Sequence, residues 1–511
     1  MRRSTSWSRA SSGELLLAGL LAVLAGCTTR ETRPGPALPR EVTVFVTAEV
    51  RGYIGPCGCS ENMRGGISRA AFQIAEARKH GAVLVVDSGD GLFGDPQIPD
   101  AAVAQQERKA KTLAEAWKAM GLTARALGPL DDARGAAFRQ SLGLPELASG
   151  SFKVQDGVAI VSAPTLAAAV QLAPAAREAG GRFVVALVPV PADALLREAV
   201  DAAGVDLVVS ARSKDAFAAE ESRLAGGAVK VAQVQSKGRS LLKVTVRFRG
   251  DGSVEWLRGD GERDRELFAL DQRIELLRTQ VNEPMLSDEL KALRKAKLEE
   301  IIARREELAA APLVTPEDRS TATARFVPLE ASFPKDPVVE QLERAYDVDV
   351  GLLNLAWARE HGVSCPPPTK ERPGLVGSAV CIGCHEPAAR VWRQTKHGLA
   401  YKSLVAQGKQ HHLDCVSCHV TGWQLPGGVC RIDQTEHREE VGCEACHGPG
   451  STHSWLPIKG NIPRAAEPKT CTGCHDRENS PQFDFETYLA KVLGPGHGQP
   501  LPPATGAATK P

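Results

Sequence analysis

This chain of 511 residues has almost no charge bias, almost no histidine in its first two-thirds, and no long apolar run after its opening segment. Lysine and arginine number 62 against 61 aspartates and glutamates. That balance provides no basic face of the kind that grips nucleic acid by charge. Beyond the first residues, no apolar stretch is long enough to cross a bilayer as a helix. Of 12 histidines only His80 precedes His361, so a metal centre built on imidazoles is hard to assemble in the first 360 residues. A length of this order predicts two or more domains.

What is present is concentrated near the C-terminus. Eight of the 13 cysteines fall in four copies of Cys-x-x-Cys-His: CIGCH at 381–385, CVSCH at 415–419, CEACH at 443–447 and CTGCH at 471–475. This is the attachment signature of c-type haem. Paired CxxC knuckles also build structural zinc sites, but a zinc ribbon needs no histidine behind its second cysteine. Here histidine follows all four pairs in a histidine-poor chain. The motifs therefore predict four covalent haems. Thioethers come from Cys381, Cys384, Cys415, Cys418, Cys443, Cys446, Cys471 and Cys474, and proximal iron ligands from His385, His419, His447 and His475.

The start of the chain reads as an export signal rather than as fold. Arg2 and Arg3 precede a short apolar run, Leu15 to Leu24, and then Leu24-Ala25-Gly26-Cys27. The run is too short for a permanent span. Leu-Ala-Gly-Cys resembles a bacterial lipobox, which implies that Cys27 is lipidated; cleavage near Ala25 or Gly26 is the alternative. Residues 28–40 are polar and proline-rich, as suits a tether. Thr28 after the cysteine favours, by that resemblance, the outer membrane, with the protein facing the periplasm or the outside. Four cysteines are left over: Cys57, Cys59, Cys365 and Cys430. In an oxidising compartment they allow two disulfides with three connectivities. Cys57-Gly58-Cys59 would also suit a soft-metal clip or a redox pair.

Residues 41–258 alternate strand-like and helix-like segments, among them Val42–Val50, Gly66–His80, Ala82–Ser88, Arg182–Val190 and Val205–Ser210. The alternation predicts an α/β domain with a covered sheet. Its landmarks are Thr47-Ala48-Glu49-Val50-Arg51-Gly52, Gly65-Gly66-Ile67-Ser68-Arg69, Asp87-Ser88-Gly89-Asp90 and Ala126-Leu127-Gly128-Pro129-Leu130-Asp131. In order and strand ends these resemble the 5′-nucleotidase branch of the calcineurin-like metallophosphoesterases. The resemblance implies a sandwich fold and a two-metal centre needing Asp-x-His, Asn-His and later histidines. This chain offers Glu49 and Arg51, then Pro129-Leu130, then Pro189 and Arg212-Ser213-Lys214. Asp87 and Asp90 remain, as strand-end turn residues or as a remnant of metal binding. No dinuclear centre is expected, and the domain reads as a scaffold that has lost hydrolysis.

Residues 259–311 carry apolar residues at three-four spacing (Leu270, Ile274, Leu277, Val281, then Leu290, Leu293, Ile301, Leu308), which predicts a helical hairpin. Residues 312–375 read as an extended, proline-punctuated linker with a helix from about Pro337 to His361. Cys365-Pro366-Pro367-Pro368 forms a stiff boundary. The span 376–498, with a disordered tail at 499–511, is expected to be short helices and loops wrapped around haems. It resembles the tetrahaem cytochrome c-554 family, through Gly377-Ser378, Trp392-Arg393-Gln394-Thr395-Lys396-His397, Cys418-His419-Val420-Thr421-Gly422 and the string from Gly442 to His453. The resemblance implies distal ligands at His397 and His453. His497 fits a third, and His412 or His411 a fourth, with His437 as runner-up.

Three functions compete at this stage. The first is an exported, lipid-anchored electron carrier between a quinol-side donor and a terminal acceptor, its N-terminal domain a docking module. The second is a reductase of small nitrogen or sulfur compounds at a five-coordinate haem. The third is an active phosphoesterase fused to a cytochrome.

Overall fold

The computed structural model describes residues 40–56, 63–199, 202–212, 222–250, 252–257, 260–281, 287–310, 316–476, 479–480 and 483–501. Cys27 with its leader and most of its tether, Cys57, Cys59, Ser213 and Lys214 lie outside the described residues, as does the tail from residue 502.

Two six-stranded sheets form the N-terminal domain. Sheet I runs β11-β12-β10-β1-β2-β3, from β1 (Glu41–Thr47), β2 (Ala82–Asp87), β3 (Leu122–Arg125), β10 (Ser240–Arg247), β11 (Glu255–Trp256) and β12 (Thr321–Pro328). Sheet II runs β4-β5-β6-β7-β9-β8, from β4 (Ser151–Gln155), β5 (Val158–Ser162), β6 (Phe183–Pro191), β7 (Leu207–Arg212), β8 (Arg223–Gly226) and β9 (Lys230–Gln233). In sheet I the strands β1, β2 and β3 are parallel, while β10 is antiparallel to both β1 and β12.

The two-residue period of a strand sorts the side chains into layers. Val42, Val44, Val46, Leu84 and Val86 of sheet I meet Ile160, Val185, Leu187 and Val209 of sheet II in one core. Phe45 and Val85 point the other way, into a second core with Ile74, Leu113, Trp117 and Val350. These belong to α1 (Ile67–Arg78), α2 (Asp100–Ala119) and α8 (Pro337–His361). The far face of sheet II, with Val161, Val184 and Val208, is covered through Leu166, Ala173 and Leu195, on α4 (Leu166–Glu178) and α5 (Ala192–Glu198). Between α2 and α4 in sequence, α3 (Gly135–Ser141) follows β3. The result is four layers, helix–sheet–sheet–helix. It explains why the central strands read as unbroken apolar runs: both faces are covered.

One feature departs from the linker expected over 312–375. Thr321–Pro328 is a full strand inside sheet I, between β10 and β11, because Ala322 and Ala324 are small enough to pack into the sandwich core. The hairpin of α6 (Asp260–Val281) and α7 (Asp288–Ala310) is thus an insertion between two neighbouring strands. It closes on its own core of Ile274, Leu277 and Ile301, while Leu290 and Leu293 stay exposed.

Helix α8 starts where Asp336 accepts hydrogen bonds from the backbone of Val338 and Val339, with Pro337 at the first helical position. Its first half packs Val339, Tyr346 and Val350 against the N-terminal domain. Its second half packs Ala358 and Leu355 against Tyr401, Val416, Val420 and Ile432 of the C-terminal region. That region is made of helices of four to nine residues: α9 (Ser378–Ile382), α10 (Glu386–Gln394), α11 (Ala400–Val405), α12 (Leu413–His419), α13 (Cys443–His447), α14 (Ser451–Trp455), α15 (Pro468–Cys471) and α16 (Phe485–Ala490). A disulfide joins Cys365 to Cys430, which selects one connectivity from those the sequence allowed.

Candidate functional site

Each Cys-x-x-Cys-His motif makes a single helical turn. In the first and fourth, the histidine N–H donates to the carbonyl of the first cysteine, His385 to Cys381 at 3.0 Å and His475 to Cys471 at 2.8 Å. The second and third lie within α12 and α13. A helical turn brings positions i, i+3 and i+4 to one side, so two thiols and an imidazole project together from each motif. All eight of these cysteines are free of disulfides.

The histidines outside the motifs then fall into place. His453 faces His385 with ring centres 6.3 Å apart, His397 faces His475 at 6.0 Å, and His497 faces His447 at 6.3 Å. Every pair joins one motif histidine to one histidine from elsewhere. A metal–imidazole bond of about 2 Å, plus about 1 Å to the ring centre, puts two histidines on one ion roughly 6 Å apart. Hydrogen bonds at Nδ1 match this use. The Nδ1 atoms of His447 and His497 lie 2.9 and 2.7 Å from the carbonyls of Pro463 and Val492, and Nδ1 of His453 lies 2.8 Å from Asn461 Oδ1. Donation there leaves Nε2 with its lone pair for iron.

His419 differs. Its Nδ1 lies 2.7 Å from the Ala400 carbonyl, leaving Nε2 available, yet among the described residues no second histidine ring faces it. The three histidines considered for that place are elsewhere. His412 is buried, edge-on to Tyr346, with Nε2 (the atom a ligand would use) 3.1 Å from the Asp347 carbonyl. His411 packs against Gly351 of α8. His437 is exposed on a loop with φ of 66°.

The second motif is also the one seated on the N-terminal domain. Gln105 Oε1 accepts from the Leu413 N–H at 3.1 Å and from Asn354 Nδ2 at 2.6 Å. Asn354 Nδ2 reaches the His411 carbonyl at 2.8 Å, and Lys109 pairs with Asp414 at 2.6 Å. Neighbouring motifs touch through sulfur: Cys381 hydrogen-bonds Cys443, and Cys418 hydrogen-bonds Cys474. Cys471 in turn lies close enough to Cys446 to raise its thiol pKa, after burial itself.

Sequence reasoning missed Glu444, the second residue of the third motif. Its buried carboxylate accepts from the backbone N–H groups of Val376, Gly377 and Gly450 at 2.9, 2.7 and 2.7 Å. It thereby ties the entry to the first motif to the loop before His453. An acid between the cysteines of a haem motif has no sequence signal for this role.

The strand ends of the N-terminal domain hold a different constellation. Glu49, Arg51 and Asp90 adopt φ of 48°, 52° and 52°, a left-handed conformation costing on the order of 1–3 kcal/mol each for such residues. The two loops hold each other there, Glu49 N–H to Gly89 O at 3.0 Å and Arg51 N–H to Asp90 O at 3.0 Å. Arg51 pairs with Glu49 at 3.1 Å. Arg125, at the end of β3, is fully buried over the Trp117 ring and pairs with Asp131 at 2.7 Å. Asp131 also accepts from the N–H groups of Asp90, Gly91, Leu92 and Gly128. Asp87 lies 3.5 Å from the same guanidinium. Burial outweighs this looser pairing and pushes the Asp87 carboxyl up to about 7, and burial likewise lifts Asp90 to about 6. Arg125 was not singled out from sequence, because a charged residue closing a short strand looks like a surface residue. Among the described residues, no group of three or more His, Cys, Asp or Glu side chains is arranged to hold a metal ion.

Comparison with known proteins gives one likeness in sequence and another in fold. Residues 380–448 match the family described as cytochrome c554 and c-prime. The chain is 34% identical over 89 residues to cytochrome c-554 of Nitrosomonas europaea, covering 14% of this chain and 38% of that protein. It therefore spans about two fifths of that relative. Among solved structures, the 5′-nucleotidase precursor of Thermus thermophilus aligns at 12% identity and a TM-score of 0.39, over 64% of this chain and 61% of that one. The sulfate thiohydrolase SoxB of the same organism aligns at 12% and 0.38, over 70% and 68%. Residues 380–448 thus carry a likeness to c-type cytochromes of the c554 kind, a family that implies covalent haem iron. The N-terminal region is a two-sheet α/β sandwich, as its own strand order and layers show.

The residues fit that cofactor: free cysteine pairs, adjacent imidazoles with Nε2 available, and facing histidines at metal-sharing distance. Haem would supply one-electron chemistry, and the chain would supply ligands and sulfur anchors.

Proposed function

We propose that this protein is an exported multihaem cytochrome that carries electrons through four covalently bound haems, tethered to the bacterial envelope by a lipid on Cys27. The carrying observation is the set of three facing histidine pairs, each joining a motif histidine to a second one. Two histidines close an iron to exogenous ligands, which suits electron transfer rather than substrate chemistry. The sulfur contacts suggest a relay in the order first, third, fourth and second motif, ending against the N-terminal domain. Electrons would enter from a quinol-side donor and leave to a terminal acceptor.

The N-terminal domain acts in this reading as a docking module without hydrolytic activity. Arg51 and Arg125 neutralise the carboxylates at the strand ends, and a cation at that place opposes the binding of a second cation.

One observation favours a second reading. His419 has no histidine opposite it among the described residues, so its iron would keep a position for a small nitrogen or sulfur compound. Haem stoichiometry and the paramagnetic resonance spectrum of the ferric holoprotein test both readings. The proposal expects four haems per chain, at least three of them low-spin. A high-spin signal supports the second reading, an all-low-spin spectrum removes it, and bound zinc without haem ends both. Loss of membrane association in Cys27→Ser tests the anchor.

A further inference from the structure

The third motif alone carries an acid between its cysteines. Glu444 stands where the other motifs have Ile382, Val416 and Thr472. It is 4% exposed, and its side chain meets only the backbone N–H groups of Val376, Gly377 and Gly450. All three donate to it, so it serves as a carboxylate, an acceptor with no proton to give. The buried Asp131 and Glu49 lie against arginines. Among the described residues Glu444 makes no ion pair, so its charge rests on amides alone.

Three segments meet at this side chain. Val376 and Gly377 lead into the first motif, and the Gly377 carbonyl lies 3.8 Å from the Cys381 sulfur. Gly450 caps the start of α14, the helix of His453. The third segment is the motif of Glu444 itself. Serines run alongside: Cys443 N–H donates to Ser378 Oγ at 3.3 Å, Gly374 N–H to Ser451 Oγ at 3.0 Å, and Ser451 N–H to the Gly374 carbonyl at 3.2 Å. Each of those bonds joins two segments, whereas Glu444 joins all three.

We propose that Glu444 is a positioning residue for electron transfer through the first and third haems: it holds His453 opposite His385, and it sets a fixed negative charge beside the sulfur atoms that anchor both haems. The inference rests on the haem reading above. A buried anion favours ferric over ferrous iron by Coulomb attraction, which is strong where water is excluded. Glu444 therefore keeps the potentials of these haems low. Without it, three buried N–H groups lose their acceptor, and one of them belongs to the residue from which the His453 helix starts.

The test compares the wild-type holoprotein with Glu444→Gln and Glu444→Asp. The readouts are haem content, the paramagnetic resonance spectrum of the ferric protein and an optical potentiometric titration. Glu444→Gln removes the charge and turns an NH2 group towards N–H donors. It is expected to keep the wild-type haem content, to show one more high-spin haem than wild type, and to raise the potential of at least one haem that stays low-spin. Glu444→Asp keeps the charge but is a methylene too short to serve all three amides. It is expected to show the extra high-spin haem while its low-spin haems titrate as in wild type.

That split separates the charge from a merely structural contact, and Glu444→Asp carries the test if Glu444→Gln fails to load haem. Wild-type spin states in Glu444→Asp overturn the proposal. So do unshifted low-spin potentials in Glu444→Gln, or equal shifts in both variants. A wild type without haem ends the underlying reading as well, whereas a haem-loaded wild type with indistinguishable variants overturns this proposal alone.

Discussion

At the strand ends of the N-terminal domain, Asp87 and Asp131 converge on Arg125 while Glu49 is held by Arg51. In the C-terminal domain, imidazoles face imidazoles across 6.0 to 6.3 Å, beside cysteines that form no disulfide. Both are dense clusters of groups that could bind metal. The first neutralises itself with internal cations, so its carboxylates are committed to the fold. The second turns Nδ1 of His447, His453 and His497 to the fold and leaves their Nε2 for iron, beside cysteines that form no disulfide, an arrangement that suits a cofactor becoming part of the core. A ligand-rich cluster is therefore not enough to identify a cofactor site. What matters is whether the protein has already satisfied it.

The largest expected effect breaks the second half of this comparison. Replacing Cys415 and Cys418 by alanine should lower haem content by one per chain and destabilise the contact of α12 with α2 and α8, read by haem-to-protein ratio and by proteolysis. An unchanged ratio would remove the second motif from the haem count.

Next comes Arg125. Arg125→Met leaves Asp87 and Asp131 buried without their cation, and breaking a buried pair in this way costs about 3–5 kcal/mol. The loss should appear in the melting of the N-terminal domain while the haem spectrum is kept. A melt like wild type would mean that the cluster is not self-neutralised.

A spin-state comparison sharpens the histidine assignment. His453→Ala should convert one low-spin haem to high-spin. His412→Ala should leave spin states alone and cost about 1–3 kcal/mol through the lost buried hydrogen bond. The reverse pattern would exchange their roles.

A pH dependence tests the first cluster in another way. The folded-state pKa of Asp87, about 7, lies above the ordinary 3.8. Its contribution to stability is thus full below about pH 4 and is lost as pH rises through 7. Asp87→Asn mimics the protonated acid, so its melting temperature should gain on wild type as pH is raised across that window, by up to about 1.4 kcal/mol per pH unit. Parallel curves would sink this reading.

Much of this was visible in the chain itself. The strands with both faces covered, β1, β2, β6 and β7, announced themselves as apolar runs, and α1 by its helical spacing. β12 was missed because Thr-Ala-Thr-Ala packs by being small, not by being hydrophobic, and nothing in that composition names a sheet. The proximal ligands are fixed by adjacency: a histidine next to its cysteine cannot be far from the same haem. Distal ligands have no such constraint, since any histidine brought round by the fold can serve.

That division follows from the range over which the physics acts. Local spacing determined the attachment chemistry, the expected export signal and the alternation that defines an α/β domain. Only the tertiary structure decided which histidines face one another, that His412 turns its Nε2 to a backbone carbonyl, and that Arg125 occupies the ground between Asp87 and Asp131. Each of these depends on residues far apart in sequence, brought within a few ångströms only when the sheets and helices pack.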